Sequence, residues 1–331
     1  LEIGGGFGGK TLVYLEPLAL ALSKKSGRPV KMVMSREEVF RGSGPTSGGV
    51  VKVKLGATKN GRIVAAECEV LLQAGAFPGS PVGPACMTPF AMYDLSDVTI
   101  WGFDVVSNRP KVAAYRAPGA PISTFGVESA VDSLADKLGM DPLELRLINA
   151  AKNGTKAAYG PTLRDIGYVE TLEAAKSSPH WTSDLGQAGK GKKRGRGIAS
   201  GFWFNIGGES SGATYINEDG TVTVVSGNPD IGGSRASMCM MAAEVLGVDI
   251  SKVRAIVGDT SSVGFSFVTG GSRVTFATGM AVTQSAEQAR DELCRRAATL
   301  WEIPPEAVEW RDGAAYPACD NAGKFEPMTL G

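Results

Sequence analysis

Hydrophobic and polar positions along the chain change period several times. After "GGGFGGKT" (4–11), "TLVYLEPLALALSKKSG" repeats its apolar residues at helical spacing, with lysines late and Gly27 able to cap it. That predicts a helix over about 11–25, with Pro17 as a kink. "PVKMVMSREE" predicts a short strand over 30–34 and a charged turn. Residues 49–75 alternate on both sides of Asn60-Gly61, a strong hairpin signal. "VESAVDSLADKLG" (127–139) reads as an amphipathic helix ended by Gly139, and Asp141-Pro142 as the cap and first residue of the next. A polar stretch rich in Gly, Lys and Ser runs from about 151 to 194 and reads as a linker.

The second half repeats the alternation. "GIASGFWFNIG" reads as a strand, and "GATYINEDGTVTVVSG" as a hairpin turning at Asp219-Gly220. "NPDIGGSRASMCMMAAEVLG" and "VTGGSRVTFATGMAVTQSAEQARDELCRRAATL" each read as a glycine turn entering a helix, with the strand "VRAIVGDT" between them. Strands and helices are mixed without regular alternation. The expected class is α+β: two mixed α/β subdomains built from hairpins and glycine-loop-to-helix units, at 1–150 and 195–331, joined by 151–194.

Composition narrows the function classes. The 331 residues carry 34 basic and 34 acidic side chains, so no net basic field suggests nucleic acid. The basic run "GKGKKRGRG" (189–197) is glycine-spaced and reads as a solvated loop. No apolar run is long enough to span a membrane. The five cysteines form no C-x-x-C pair, which argues against zinc or iron–sulfur ligation and fits a cytoplasmic setting. His180, the only histidine, lies in a polar stretch, so a histidine-based triad or multi-histidine metal site is disfavoured. The 44 glycines gather at 4–9, 207–208, 232–233 and 270–271, where the backbone could approach a bulky ligand. The sequence starts at "LEIGGG" without Met and stops at "EPMTLG", which suggests a piece of a longer protein.

The loop at 4–11 fits more than one ligand. As a P-loop it lacks a proper preceding strand, and its best magnesium partner is Asp259, a poor match. As a dinucleotide fingerprint (Gly4, Gly6, Gly9) it lacks the acidic residue expected after the following strand, though Arg36 could serve NADP. A ligand-free structural turn is a further reading.

Taken together, "GGGFGGK" (4–10), "AYRAPGAP" (114–121), "SGNPDIGGS" (226–234) and "TGGSR" (269–273) resemble, in that order, the molybdenum-binding subunit of the xanthine dehydrogenase, aldehyde oxidase and carbon monoxide dehydrogenase family. The resemblance implies a molybdenum–molybdopterin cofactor, as the bare pterin or its cytosine dinucleotide form. Gly5, Gly6, Phe7 and Gly8 would pack at its metal end, with Arg116 opposite. Tyr115, Pro118, Phe202 and Trp203 would line the substrate path. Gly232, Gly233 and Ser234, with Thr269, Gly270, Gly271, Ser272 and Arg273, would hold the pterin phosphate at two helix starts. No residue here would ligate the metal directly.

The resemblance also implies oxidative hydroxylation of an aldehyde or N-heterocyclic carbon with water. Electrons would leave through iron–sulfur clusters and FAD on partner subunits or on segments outside this sequence, in a dimer of heterotrimers. Four departures bear on this. Proline at 118 and the lack of arginine in 79–90 disfavour purines. Gly233 stands where the family often has glutamine. The family's glutamate base, in a "GEG"-like motif, has no counterpart here, so these residues alone are expected to be inactive. A non-catalytic relative that keeps the fold is the rival reading.

Overall fold

The structure is a computed structural model, and it describes residues 2–258 and 260–331. Asp259, the P-loop magnesium candidate, lies outside the described residues. The chain forms two compact units: residues 7–203, and residues 1–6 together with 204–331. The second unit takes its first strand, β1 (Glu2–Ile3), from the start of the chain.

In the unit of residues 7–203, α1 (Glu16–Ser26) and α2 (Arg36–Gly42) come first. Pro17 does not kink α1. It sits in the first turn, where a missing N–H costs nothing. The charged turn after 34 is α2 itself, closed by a reciprocal capping box of Ser35 and Glu38. The strand expected at 30–34 does not form.

β2 (Gly49–Ala57) and β3 (Ile63–Gly75) make the predicted antiparallel hairpin. After α3 (Val82–Met87), β4 (Asp97–Val106) adds parallel to β3, giving the order β2-β3-β4. α4 (Ala120–Leu138) lies on this sheet, packing Val127, Val131 and Ala135 with Cys68, Val70 and Leu72. It approaches closely because Gly126 faces Val51; a Cβ there would sit 2.6 Å from the valine side chain.

α5 (Pro142–Asn149) starts at the Asp141 cap as expected. Its buried Asn149 donates to Gly61 O (2.8 Å) and accepts from Ile63 N (2.9 Å), pinning both ends of the hairpin turn. Buried Arg146 pairs with Glu128 of α4 (2.9 Å), which also accepts from the Tyr93 hydroxyl and from Ser200 N.

The stretch expected to be a linker is packed instead. α6 (Tyr168–Ser177) buries Leu172, and α7 (Pro179–Thr182) follows it. Ala151 N donates to Met92 O, and Tyr168 bonds Ser200. The compact unit therefore ends at 203, because these side chains complete its core. "GIASGFWFNIG" forms no strand.

In the other unit, β5 (Gly212–Ile216) and β6 (Val222–Ser226) form the hairpin at Asp219-Gly220. β7 (Asp230–Ile231) pairs parallel to β1. α8 (Ser234–Leu246) and then β8 (Val253–Val257), parallel to β6, follow. A π-helical turn (Val274–Thr278) leads into α9 (Gly279–Trp301). α8 and α9 bury Met238, Ala242, Leu246, Val282 and Ala286 against Val222 and Val224. β9 (Val308–Arg311), β10 (Ala314–Pro317) and β11 (Met328–Thr329) make a small antiparallel sheet over Trp301.

Candidate functional site

The glycine motifs of the second unit issue from neighbouring strand ends. Ile3 pairs with Ile231, so Gly4–Gly6 and Gly232–Gly233 leave the carboxyl ends of two parallel strands side by side. Gly6 lies against Ile231; a Cβ there would be 3.6 Å from its Cδ1. Open parallel sheets bind ligands at such ends. Gly232 (φ 69°) and Gly233 (φ 89°) turn the chain into α8 in a conformation that favours glycine. A Cβ at either would meet nothing within 4 Å.

Asn228, buried, ties this loop to the next motif. Its Nδ2 donates to Thr269 Oγ1 (3.4 Å), and its Oδ1 accepts from Thr278 Oγ1 (2.7 Å). The 226–234 and 269–273 motifs are thus parts of one arrangement. Gly270 also faces open space, whereas Gly271 (φ 61°) is held against Ile206, 2.6 Å from a Cβ. Among the described residues, the amides of Gly233, Ser234, Gly270, Gly271 and Ser272 make no hydrogen bond. Unpaired amides beside side-chain-free backbone fit an anionic group of some bulk. The π turn after Arg273 is a rare element often found at functional sites.

Two members of the predicted set differ from expectation. Arg273 is 1% exposed, and its guanidinium donates to the carbonyls of Gly207, Gly208, Glu209 and Phe267 and to Ser210 Oγ. Each of its nitrogens donates to protein, so it frames the 207–210 loop. Ser234 donates its hydroxyl to Asp230 Oδ1 (3.1 Å). Asp230 also takes Arg235 Nε (2.9 Å), and this bond holds its carboxyl below the usual range. Ser234 therefore offers a ligand its amide. Neither Asn228 nor Asp230 stood out in the sequence as a site residue, although both fall inside the quoted motif.

The unit of residues 7–203 carries the remaining candidates. Gly8 (φ 93°) packs against Ala114, where a Cβ would lie 2.9 Å from both its Cβ and its carbonyl oxygen. Arg116 N donates to Phe7 O (2.7 Å). The "GGFG" and "AYRAPG" motifs are thus joined through Phe7, Gly8, Ala114 and Arg116.

Phe7 is 60% exposed and holds φ 52°, a strained backbone for a bulky residue. Its ring stands 6.4 Å from that of Tyr115, also exposed. Pro118 sits in a tight turn between Ala117 (φ 54°) and Gly119 (φ 85°), before α4. The Arg116 side chain is exposed and makes no hydrogen bond or ion pair among the described residues.

Phe202 lies elsewhere in this unit. Its ring lies tilted beside that of Tyr159 (5.6 Å) and lines a cavity of about 640 Å³ with Met92, Leu163, Tyr168, Ile198 and Ser200. Trp203, half-buried, follows it. Burial pushes the Tyr168 hydroxyl up to about 12 and the Cys68 thiol to about 12. Among the described residues no group of three or more His, Cys, Asp or Glu side chains could hold a metal ion. Among the described residues no helix is long and apolar enough to cross a membrane.

Strand-end glycine turns with unpaired amides are chemistry that suits an anionic ligand. Residues 1–150 and 173–329 each match a family model described as molybdopterin cofactor-binding domain. The chain is similar to the xanthine dehydrogenase molybdenum-binding subunit of Escherichia coli O157:H7, 32% identical over 319 residues, covering 90% of this chain and 42% of that one. It resembles quinoline 2-oxidoreductase from Pseudomonas putida 86 (TM-score 0.84, 24% identity, 99% of this chain and 45% of that one). It also resembles aldehyde oxidoreductase from Desulfovibrio gigas (TM-score 0.79, 27% identity, 98% and 38%). The chain belongs to the molybdenum-binding subunits of the xanthine dehydrogenase, aldehyde oxidase and carbon monoxide dehydrogenase family. It spans under half the length of these relatives.

Proposed function

We propose that this chain supplies the cofactor cradle of a molybdenum hydroxylase that oxidises an aldehyde or an N-heterocyclic aromatic carbon with water as the oxygen source. Electrons would pass to iron–sulfur and FAD partner subunits. The observation that carries this is the pair of glycine turns leaving Ile3 and Ile231, with Asn228 joining the second to Thr269. When bound, the molybdenum–molybdopterin would supply the two-electron redox chemistry that no side chain here provides.

The chain's own residues would bind and shield. The amides of Gly233, Ser234 and Gly270–Ser272 would hold the pterin phosphate, in the bare or the dinucleotide form, helped by the positive start of α8. Gly5, Gly6, Phe7 and Gly8 would follow the metal end, with the Phe7 and Tyr115 rings keeping water off. Arg116, its charge uncommitted, would attract the anionic centre. Tyr115 and Pro118 would shape the substrate approach, with the Phe202–Trp203 stretch as a further candidate wall. The names of the Escherichia coli and Desulfovibrio gigas relatives support the two substrate classes, while proline at 118 disfavours a flat purine sandwich.

The test is metal and pterin analysis of the intact subunit purified from a host that makes the cofactor. One molybdenum and one pterin per chain are expected, lost in Gly270→Val with the fold unchanged. Metal-free protein that ATP or NADP stabilises in a thermal-shift assay would overturn the reading in favour of a nucleotide site. A loaded subunit inert toward every aldehyde and N-heterocycle tried would favour the non-catalytic relative.

A further inference from the structure

Residues 10–42 carry an apolar sequence in which no residue is buried. No residue of α1 is buried, and Leu18, Leu20 and Leu22 are all exposed, Leu20 by 71%. Leu18 and Leu22 share a face at i and i+4, while Leu20 points away from it. A helix apolar on more than one side belongs in an interior. The next segment adds an independent sign. Val30, Met32 and Met34 are half-buried while Lys31 and Val33 are exposed, Val33 by 77%. That is the alternation of a strand. Yet among the described residues the backbone of 30–34 makes no backbone hydrogen bond and joins no sheet. An unpaired, β-prone backbone is a template for an added strand.

The occupant can be narrowed. A second copy would set Lys24, Lys25, Arg28 and Lys31 against the same charges. The relatives are more than twice as long as the region this chain matches, so they hold ample further polypeptide. We infer that residues 10–42 are the docking surface for another part of the molybdenum subunit's own polypeptide. That part adds a β-strand beside 30–34, lays apolar side chains over α1 and brings carboxylates to the lysines. The inference needs the family membership but not the proposed activity.

Amide hydrogen exchange on the 331-residue chain, and on the whole subunit its gene encodes, tests it. In the 331-residue chain, amides 30–34 exchange without protection; in the whole subunit they slow by at least about tenfold. Leu20→Lys with Leu22→Lys leaves the melting temperature of the 331-residue chain unchanged. In the whole subunit the same pair returns exchange at amides 30–34 towards the rate of the 331-residue chain. Protection already present in the monomeric 331-residue chain overturns the inference. So does protection that rises with concentration alongside dimer formation, or that appears only on adding an iron–sulfur or FAD subunit. A gene encoding nothing beyond this chain overturns it as well.

Discussion

Arg116 and Arg273 stand in the same kind of sequence, a glycine-bearing turn ahead of a helix, and the two regions use them in opposite ways. Around Arg273 the chain folds back so that four carbonyls and a hydroxyl converge on one guanidinium, with the Phe267 ring beside it. Around Arg116 only the backbone is committed, through its amide to Phe7 O, and the charge stays in solvent. A motif fixes where the chain turns. Whether the side chain serves the loop or a ligand depends on which carbonyls return to it, and three of the four around Arg273 lie more than sixty residues away.

The largest effect is expected at the buried arginine. Arg273→Ala would strand several carbonyls at 207–210 and 267 without donors. Each unmet buried group costs about 1–3 kcal/mol, so a loss of about 3 kcal/mol or more is expected. Chemical denaturation would measure it. A loss under about 1 kcal/mol would mean that water replaces the guanidinium and that the arginine is available to a ligand after all.

Next in size is the contrast between adjacent glycines. Gly271→Val forces a β-branched residue to φ 61° and into Ile206, at a cost of about 2–4 kcal/mol. Gly270→Val enters open space at an ordinary backbone angle, so stability should stay within about 0.5 kcal/mol. A ligand seated against Gly270 would meet the new side chain. Thermal melts and bound-molybdenum content, measured together on both variants, separate the structural glycine from the one facing a ligand.

Neighbouring motifs were far more legible than their partners. Asn60-Gly61, Asp219-Gly220, Asp141-Pro142 and the glycine starts of α8 and α9 could be read directly, because turn and cap chemistry is local. The parallel joins β3–β4 and β6–β8 could not, since a parallel partner leaves no short-range mark. The polar stretch 151–194 read as a linker because its anchors are few. Leu172 and Tyr168 are scattered points: Tyr168 reaches Ser200, whose amide donates to Glu128 on α4, and Ala151 N donates to Met92 O. At the site, the glycines were legible by type. The clamp of Asp230 on Ser234 and Arg235, and the reach of Asn228 to Thr269 and Thr278, depend on the fold.

Arg146 provides a reference between the two extremes, buried like Arg273 but paired with Glu128 and Asp132. The Tyr93 hydroxyl donates to the same Glu128, and burial, then that carboxylate, pushes its pKa well above 10. Tyr168, close by, is pushed to about 12, first by burial. A folded-state value above the unfolded one favours folding while the phenol is protonated. That contribution is whole below pH about 10 and is lost as pH rises towards about 12. The protein should therefore weaken steadily above pH about 10. Tyr168→Phe should reduce that slope and, by removing the bond to Ser200, cost about 1 kcal/mol at neutral pH. Urea midpoints against pH for both proteins would show it, and parallel curves would remove Tyr168 from the account.

The smallest effect on stability is expected where the effect on the cofactor should be large. Arg116→Ala removes an exposed side chain with no partner among the described residues, so the folded state should change by no more than about 0.5 kcal/mol. The turn survives because its bond to Phe7 comes from the amide, which alanine keeps. If the free charge serves an anionic metal centre, the intact subunit should lose bound molybdenum, and Arg116→Lys should restore part of it as a point charge. If Arg116→Ala instead keeps full molybdenum and loses stability, the arginine supports the loop as Arg273 does. The contrast between the two regions would then be one of burial alone.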